Sequence, residues 1–316
     1  MAMSLDVSPL FEPIGVKGHA FRNRIVMPPM ATNRGIVSPA GLEWYGEHAA
    51  AGVGLVIVEA TAVGRFGGDL NLENLGRLVE AIHDGGAMAA IQLFPVAFGR
   101  AVAPAEFGAD EIKEIIRRFE TAARMCAEAG FDGVEPHGAH GFVLNQFFSP
   151  PDNTRTDAFG GALENRMRMG IEVVRACRRG IGDDRLLLYR HTPVKEASYT
   201  LDESVVFAGK LAQEGVDILD ISPASSEAPA DLAKPFRGLC AAVIGVGLMD
   251  EVERALEALV QGRADLIAVG RGLIADPLWP TKVREGRFDD IVSCTRCNEK
   301  CHGNLSAGLP VECTQW

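Results

Sequence analysis

The sequence predicts an α/β fold, a (β/α)8 or TIM barrel followed by a short cysteine-rich extension. Along the 316 residues of the chain, eight short apolar runs alternate with amphipathic stretches. The runs lack the polar alternation of a half-exposed strand, which is typical of parallel strands covered on both faces. A closed barrel is the simplest arrangement of eight alternating strands and helices.

The eight runs are the predicted barrel strands, and the segments between them supply the helices. In chain order the strands are residues 24–30, 53–60, 87–93, 133–137, 186–190, 217–221, 242–245 and 265–269. The clearest helix is 110–129, because Ile112, Ile115 and Phe119 fall on one face and Gly130 ends it. Similar patterns predict helices at 164–179, 202–214 and 250–261.

An open doubly wound sheet is the alternative, because residues 243–256 (VIGVGLMDEVERAL) resemble a strand, a glycine turn and a helix. The dinucleotide fingerprint needs G-x-G-x-x-G, and Asp250 stands at the third glycine, where helix and strand must pack closely. A barrel phosphate loop is the better interpretation. No break in composition precedes about residue 289, so residues 1–288 are predicted to form one barrel and residues 289–316 a tail.

Charge and hydropathy exclude several classes of protein. Lys and Arg number 31 against 42 Asp and Glu, a net charge of −11 that disfavours binding to nucleic acid. The N-terminus lacks a basic region followed by an apolar one, and no run approaches the roughly 18 apolar residues of a membrane helix. We therefore predict a cytoplasmic protein with no membrane partner.

Reactive groups in such a barrel are expected at the carboxyl ends of the strands. Two histidines, His137 and His140, follow the fourth strand in a glycine-rich loop. There they can donate hydrogen bonds to a carbonyl or carboxylate oxygen of a substrate. The alternatives are a metal pair or structural histidines, although His-x-x-His alone supplies too few ligands for a metal.

Other strand ends predict a phosphorylated planar cofactor. Arg190 ends the fifth strand, and a buried arginine needs an anionic partner. Near the end of the third strand, Gln92 offers an amide that both donates and accepts, although it could simply cap the barrel mouth. Gly247 follows the seventh strand, and Gly270 and Arg271 follow the eighth, where such barrels commonly bind phosphate.

Four of the seven cysteines lie in the tail with the spacing Cys294-x2-Cys297-x3-Cys301-x11-Cys313. A disulfide framework suits small secreted domains, so bound metal is the better interpretation. Structural zinc sites usually use separated C-x-x-C pairs, whereas a compact triad with a distant fourth thiolate suits a [4Fe–4S] cluster. Zinc remains the alternative.

Several motifs resemble the old yellow enzyme family of flavin oxidoreductases, from about Leu10 to the end of the chain. The cysteine tail is similar to that of its iron–sulfur branch, typified by 2,4-dienoyl-CoA reductase and trimethylamine dehydrogenase. The motifs are residues 10–13 (LFEP), 21–30 (FRNRIVMPPM), 130–135 (GFDGVE), 145–150 (NQFFSP) and 153–166 (NTRTDAFGGALENR).

The resemblance implies an FMN inside the barrel that exchanges hydride at its N5 atom. Arg190 would then lie near N1 and O2, where reduced flavin gathers negative charge, and the two histidines would hold the substrate. The implied FMN-binding residues are Pro29, Met30, Ala31, Ala60, Gln92, Arg190, Gly247, Gly270 and Arg271. The implied catalytic residues are His137, His140 and Arg190, and the cluster ligands are Cys294, Cys297, Cys301 and Cys313.

The implied substrate is a small conjugated carbonyl compound, acid or thioester. Phe142 departs from the family, which usually has a tyrosine there as the acid that protonates substrate carbon. An amine dehydrogenase or oxidative demethylase is therefore the alternative. Two other classes remain open: a zinc-stabilised, non-redox lyase or isomerase, and an electron-transfer subunit.

The sequence also leads to an expectation about where the electrons come from. Nicotinamide delivers hydride and a cluster passes single electrons, so NAD(P)H is expected to act directly or through a partner. We expect an electron-donor or electron-acceptor protein chain, and an oligomer. The loop after Arg100 and the segment 222–231 are short for the family, which predicts an unusually open substrate pocket.

Overall fold

The computed structural model describes residues 5–95, 102–225 and 232–316. A hairpin of β1 (Ile14–Val16) and β2 (His19–Phe21) precedes the barrel strands. Those strands are β3 (Ile25–Met27), β4 (Leu55–Ala62), β5 (Met88–Phe94), β6 (Gly133–Gly138), β7 (Leu186–His191), β8 (Ile218–Ile221), β9 (Ala242–Val246) and β10 (Leu266–Ala268). They close in the order β10-β3-β4-β5-β6-β7-β8-β9, every neighbouring pair parallel. The predicted (β/α)8 barrel is confirmed, and the open sheet is wrong.

Helices surround the barrel, and all four predicted ones form within a few residues of the expected bounds. They are α1 (Ser8–Phe11), α2 (Pro39–Ala50), α3 (Leu72–Asp84), α4 (Ala109–Ala129), α5 (Val143–Phe148), α6 (Leu163–Ile181), α7 (Leu201–Gln213), α8 (Val252–Val260), α9 (Arg271–Ala275), α10 (Trp279–Arg284) and α11 (Asn304–Ser306). Helix α4 ends where Gly130 turns left-handed, with φ at +99°. No helix within the described segments combines the length and apolar character needed to cross a membrane.

The apolar core has two layers. One lies between the strands and the helices, and the other fills the barrel itself. Val16 and Phe21 of the β1–β2 hairpin pack against the inner layer, so the hairpin closes the amino-terminal end of the barrel. Binding sites are therefore left to the opposite end, where the strands finish.

The cysteine tail packs across this carboxyl end of the barrel. The backbone N–H of the buried Val311 donates to the Thr32 carbonyl at 2.9 Å, and Arg34 Nη2 donates to the Val311 carbonyl at 2.8 Å. Trp316 Nε1 donates to the Ala275 carbonyl at 3.1 Å. These contacts place the tail over the barrel mouth, while its treatment as a separate domain from residue 289 stays a prediction.

Candidate cofactor and substrate site

A cavity of about 400 Å³ opens at the carboxyl ends of the strands, between the barrel and the tail. This is within the usual size range of small-molecule and cofactor sites. The predicted residues that line it are Pro29, Met30, Ala31, His140, Arg190, Gly247, Gly270, Arg271, Cys294 and Cys301. Ala60, Gln92 and His137 are not among its lining residues.

The proline and glycine residues at the strand ends explain why backbone and small side chains form the wall of this cavity. Strand β3 ends three residues earlier than predicted, because Pro28 and Pro29 have no N–H to continue the ladder. Gly247 has φ at +127°, which favours glycine, and no atom lies within 4 Å of where its Cβ would be. Gly247, with its open backbone, and Arg271, with its guanidinium, line the same cavity, a combination that fits a phosphate.

Arg190 is the buried cation of the site. Only 7% of it is exposed, and its Nε lies 3.3 Å from Asp220 Oδ2 on the neighbouring strand β8. Its Nη2 donates to Ser222 Oγ at 3.0 Å. The anionic partner that the sequence predicts is therefore Asp220, which sequence reasoning did not single out.

Gln92 is held by a second carboxyl that the sequence analysis missed. Gln92 Nε2 donates to Glu135 Oε1 at 2.7 Å, and both side chains are buried inside the barrel. Among the described residues, no hydrogen bond reaches Glu135 Oε2 or Asp220 Oδ1. Since Gln92 is fixed on one side by Glu135, its second N–H and its oxygen stay available to a heterocycle.

The two buried carboxyl groups of Glu135 and Asp220 interact with a single guanidinium, that of Arg190. Burial, followed by the charge of Asp220, raises the pKa of Glu135 well above its usual range, while Arg190 acts in the opposite direction. Burial also raises the pKa of Asp220, again against the effect of Arg190. The folded barrel therefore favours keeping a proton on one of the two carboxyls.

Replacing Glu135 by glutamine is expected to flatten the pH dependence of stability. A carboxyl whose pKa rises on folding stabilises the fold below its unfolded pKa of about 4.3, and that contribution is lost as pH rises through the folded pKa. Urea unfolding from pH 4 upward should show the wild type losing stability relative to Glu135→Gln. Glu80→Gln, at an exposed position, is the control, and parallel curves for the wild type and Glu135→Gln would contradict this account.

The two histidines lie side by side at the mouth, with ring centroids 5.4 Å apart. His137 is buried, and desolvation followed by Arg190 lowers its pKa well below the usual range. His140 remains exposed, yet partial removal of water and then Arg190 lower its pKa as well. Both rings are therefore neutral near pH 7, where each carries one N–H donor.

The loop that carries His140 is fixed by neighbouring strands. The backbone of His140 is left-handed, with φ at +60°, and its N–H donates to Thr192 Oγ1 at 2.9 Å. Its ring Nε2 is 2.9 Å from Ser222 Oγ. Asn145 Oδ1 accepts from the Gly141 N–H at 2.9 Å. These contacts place the imidazole at the cavity before any substrate binds.

Phe142 packs among the rings at the mouth. Its ring centroid lies 5.2 Å from that of His137 and 5.3 Å from that of Phe94. A phenyl ring has no proton to donate, so this position supplies shape and apolar surface. The predicted openness of the pocket stays a prediction, because residues 96–101 and 226–231 lie outside the described residues.

The four tail cysteines line one small second cavity. Cys294 and Cys301 also line the larger one, so the two cavities share a wall. Hydrogen bonds from the Glu299 backbone and then from Thr314 lower the pKa of Cys297, which favours the thiolate form that binds metals. In the parts of the chain that the structure describes, no three His, Cys, Asp or Glu residues are arranged to hold a single metal ion.

Comparison with known proteins identifies the family. Residues 9–103 and 97–290 match the NADH:flavin oxidoreductase / NADH oxidase family. The chain belongs to this family. An NADH oxidase from Thermoanaerobacter brockii is 35% identical to this chain, over 96% of the chain and 55% of the relative. The resemblance to flavin oxidoreductases is thereby confirmed, and so is the expectation of an enzyme.

Solved structures resemble this chain as well, among them a reductase and a dehydrogenase. A 2-naphthoyl-CoA reductase in complex with 2-naphthoyl-CoA superposes with a TM-score of 0.89 at 27% identity, covering 98% of this chain and 57% of that one. Histamine dehydrogenase from Rhizobium sp. 4-9 gives 0.84 at 28% identity, covering 98% and 52%. The chain thus spans about half the length of these relatives.

Proposed function

We propose that this protein is an FMN- and [4Fe–4S]-dependent oxidoreductase acting on a small conjugated carbonyl compound, acid or thioester. The observation that carries the proposal is the larger cavity. It brings together Arg190, His140, the glycine and arginine residues of the predicted phosphate site, and two of the four tail cysteines. FMN supplies hydride transfer at its N5 atom when bound.

Each group on the protein has a task in this proposal. Pro29, Met30, Ala31 and Ala60 hold the ring, Gln92 meets its pyrimidine edge, and Gly247, Gly270 and Arg271 hold the phosphate. The guanidinium of Arg190 stabilises negative charge on the reduced ring, and Asp220 keeps that guanidinium in place. His137 and His140, both neutral, donate hydrogen bonds that polarise the substrate carbonyl.

Anaerobic spectroscopy tests the direction of the reaction. The protein with its flavin reduced by NADH or NADPH should be reoxidised by an enoyl or aryl thioester. Reoxidation by oxygen but by no member of a panel of conjugated carbonyl compounds would contradict the proposed substrate class.

Phe142→Tyr is expected to raise the rate of reduction of an activated alkene by about tenfold or more, because it restores a proton donor beside the substrate. The rate of flavin reoxidation by the alkene measures this. Phe142→Leu is the control, since it changes packing without adding a donor. An unchanged rate in Phe142→Tyr would show that the proton already comes from another group or from water.

Amine oxidation is the second candidate, favoured by the structural similarity to histamine dehydrogenase and by the missing acid at Phe142. Removal of hydride from an amine needs no group that protonates carbon. A panel of amines added anaerobically to the oxidised protein separates the two. Bleaching of the flavin by an amine alone supports this candidate, and its absence across the panel opposes it.

The cluster proposal is supported by the cysteine spacing together with the cavity that all four thiols share. Iron, sulfide and zinc should be assayed in protein purified without oxygen. Cys297→Ser should lose iron while the circular dichroism of the barrel stays unchanged. Stoichiometric zinc in colourless, iron-free protein would favour the lyase or isomerase alternative and contradict both cofactors.

We also propose a protein partner that exchanges electrons with the cluster, and assembly into an oligomer. The partner follows from chemistry, since a cluster passes one electron at a time and nicotinamide delivers two as hydride. Turnover with a one-electron dye, with and without cell extract, tests the partner. Activity only with extract would favour the electron-transfer subunit, and light scattering measures the subunit number.

A further inference from the structure

We propose that Arg271 couples the two cofactor sites, so that FMN binding and cluster assembly strengthen each other. The inference rests on the proposed function, which puts a phosphate group on one side of this residue and the cluster on the other. Its new element is an energetic connection between the two sites through one side chain.

Position is the first argument. Arg271 begins helix α9 directly after Gly270, at the end of the last barrel strand. Together with Cys294 and Cys301 it lines both the larger cavity and the small cavity of the cysteines. The wall between the two proposed cofactors therefore consists of one guanidinium and two of the predicted cluster ligands.

A hydrogen bond from Arg271 to the cysteine loop is the second argument. Arg271 Nη1 donates to Asn298 Oδ1 at 3.2 Å. Asn298 follows Cys297, has a left-handed φ of +61°, and accepts the Gly303 N–H on its carbonyl at 3.0 Å. It thus sets the entry to the turn Glu299–Gly303, which carries Cys301. The guanidinium holds the residue that positions this part of the loop.

Charge is the third argument. A phosphate and a cluster bound by four thiolates are both anionic, and a guanidinium has enough donors to serve two acceptors at once. Neighbouring cations already have carboxylate partners: Arg296 pairs with Glu251 at 2.9 Å, and Lys300 with Glu312 at 3.4 Å. Arg271 forms no ion pair with a carboxylate among the residues that the structure describes, so its charge is available to the cofactors.

Thermodynamic linkage predicts how FMN and the cluster should affect each other's binding. If one group favours the binding of the other, each changes the affinity of the other by the same factor, typically about 5-fold or more. We expect saturating FMN to slow the removal of iron by a chelator about 5-fold in the wild type. FMN should also bind about 5-fold more tightly when the cluster is present, and it is to this affinity, not to the rate of iron removal, that the linkage factor applies.

Two variants test whether this coupling passes through Arg271 and its hydrogen bond to Asn298. Asn298→Gly keeps the left-handed backbone and the guanidinium but removes the hydrogen bond, and Arg271→Gln removes the charge. In each, FMN should lose most of its effect on the rate of iron removal. Arg287→Gln is the control, because Arg287 pairs with Glu285 and Asp290 and lines neither cavity.

The readouts are iron release followed by absorbance and FMN dissociation followed by flavin fluorescence, so neither depends on turnover. If Arg271→Gln does not bind FMN, the Asn298→Gly variant still tests the coupling between the two sites. An FMN effect as large in Asn298→Gly as in the wild type would overturn the coupling, as would no effect in the wild type. A wild-type protein without iron or flavin would instead overturn the proposed function itself.

Discussion

Arg190→Met is expected to lower turnover by about 10²- to 10³-fold, the usual cost of removing one preorganised group that stabilises developing charge. The guanidinium is buried at the end of β7 and faces the cavity beside Asp220. Without it, no buried cation remains among the described residues that line the cavity, so the midpoint potential of a flavin bound there should become more negative. Turnover and this potential should fall together.

We expect the barrel of the Arg190→Met variant to stay folded. Loss of one partner of a buried ion pair is usually costly, because it leaves a charge without compensation. Here burial already raises the pKa of Asp220 and of Glu135, so both carboxyls can take up a proton instead. Arg190→Lys, which keeps charge but not the planar fork, should recover part of the potential shift. Wild-type potential and turnover in Arg190→Met would contradict the assigned role.

The double variant His137→Ala, His140→Ala should lower kcat/KM by roughly 100-fold. Two hydrogen bonds to a substrate oxygen that gains charge contribute about 1.5 kcal/mol or more each, and each 1.4 kcal/mol is a factor of ten. Flavin content should stay unchanged, since the proposed FMN contacts lie on other residues. Steady-state kinetics and bound-flavin absorbance measure the two quantities.

His48→Ala would be a poor control for this pair, because His48 is buried and bonds two backbone carbonyls of the fold. His83→Ala is better, since within the described segments the hydrogen bond and ion pair of its exposed ring are both with Asp132. The control should keep wild-type kcat/KM. Loss of flavin from the double variant would show instead that the histidines hold the cofactor.

The barrel could be predicted because its signal is local. In the run 53–60 every residue but Glu59 is apolar, which by itself indicates a strand covered on both faces, and the structure has β4 there. The end of β3 was harder, because Met30 is as apolar as the strand before it. Only the missing N–H groups of Pro28 and Pro29 mark the boundary.

The partners of the predicted site residues could not be found in the same way. Asp220 meets Arg190, and Glu135 meets Gln92, through the alignment of neighbouring strands that are 30 to 43 residues apart in sequence. The only sequence signal was a carboxyl within an apolar strand, which identifies a buried charge but not its partner. Nothing in the sequence indicated that Ser222 would contact the ring of His140.

The wall shared by the two cavities is likewise a property of the folded chain. Arg271 and Asn298 are separated by 27 residues, and the tail must fold back across the barrel mouth before they meet. Spacing identified the cysteines as a group, and the strand order identified the phosphate loop. Their contact depends on how the tail packs, which residue patterns do not encode locally.

One measurement tests the central claim most directly: the absorbance spectrum and flavin analysis of protein purified without oxygen, before and after NADH or NADPH is added. We predict one FMN per chain, with a flavin band that bleaches anaerobically on reduction. A colourless protein that stays free of flavin after incubation with excess FMN would contradict the account.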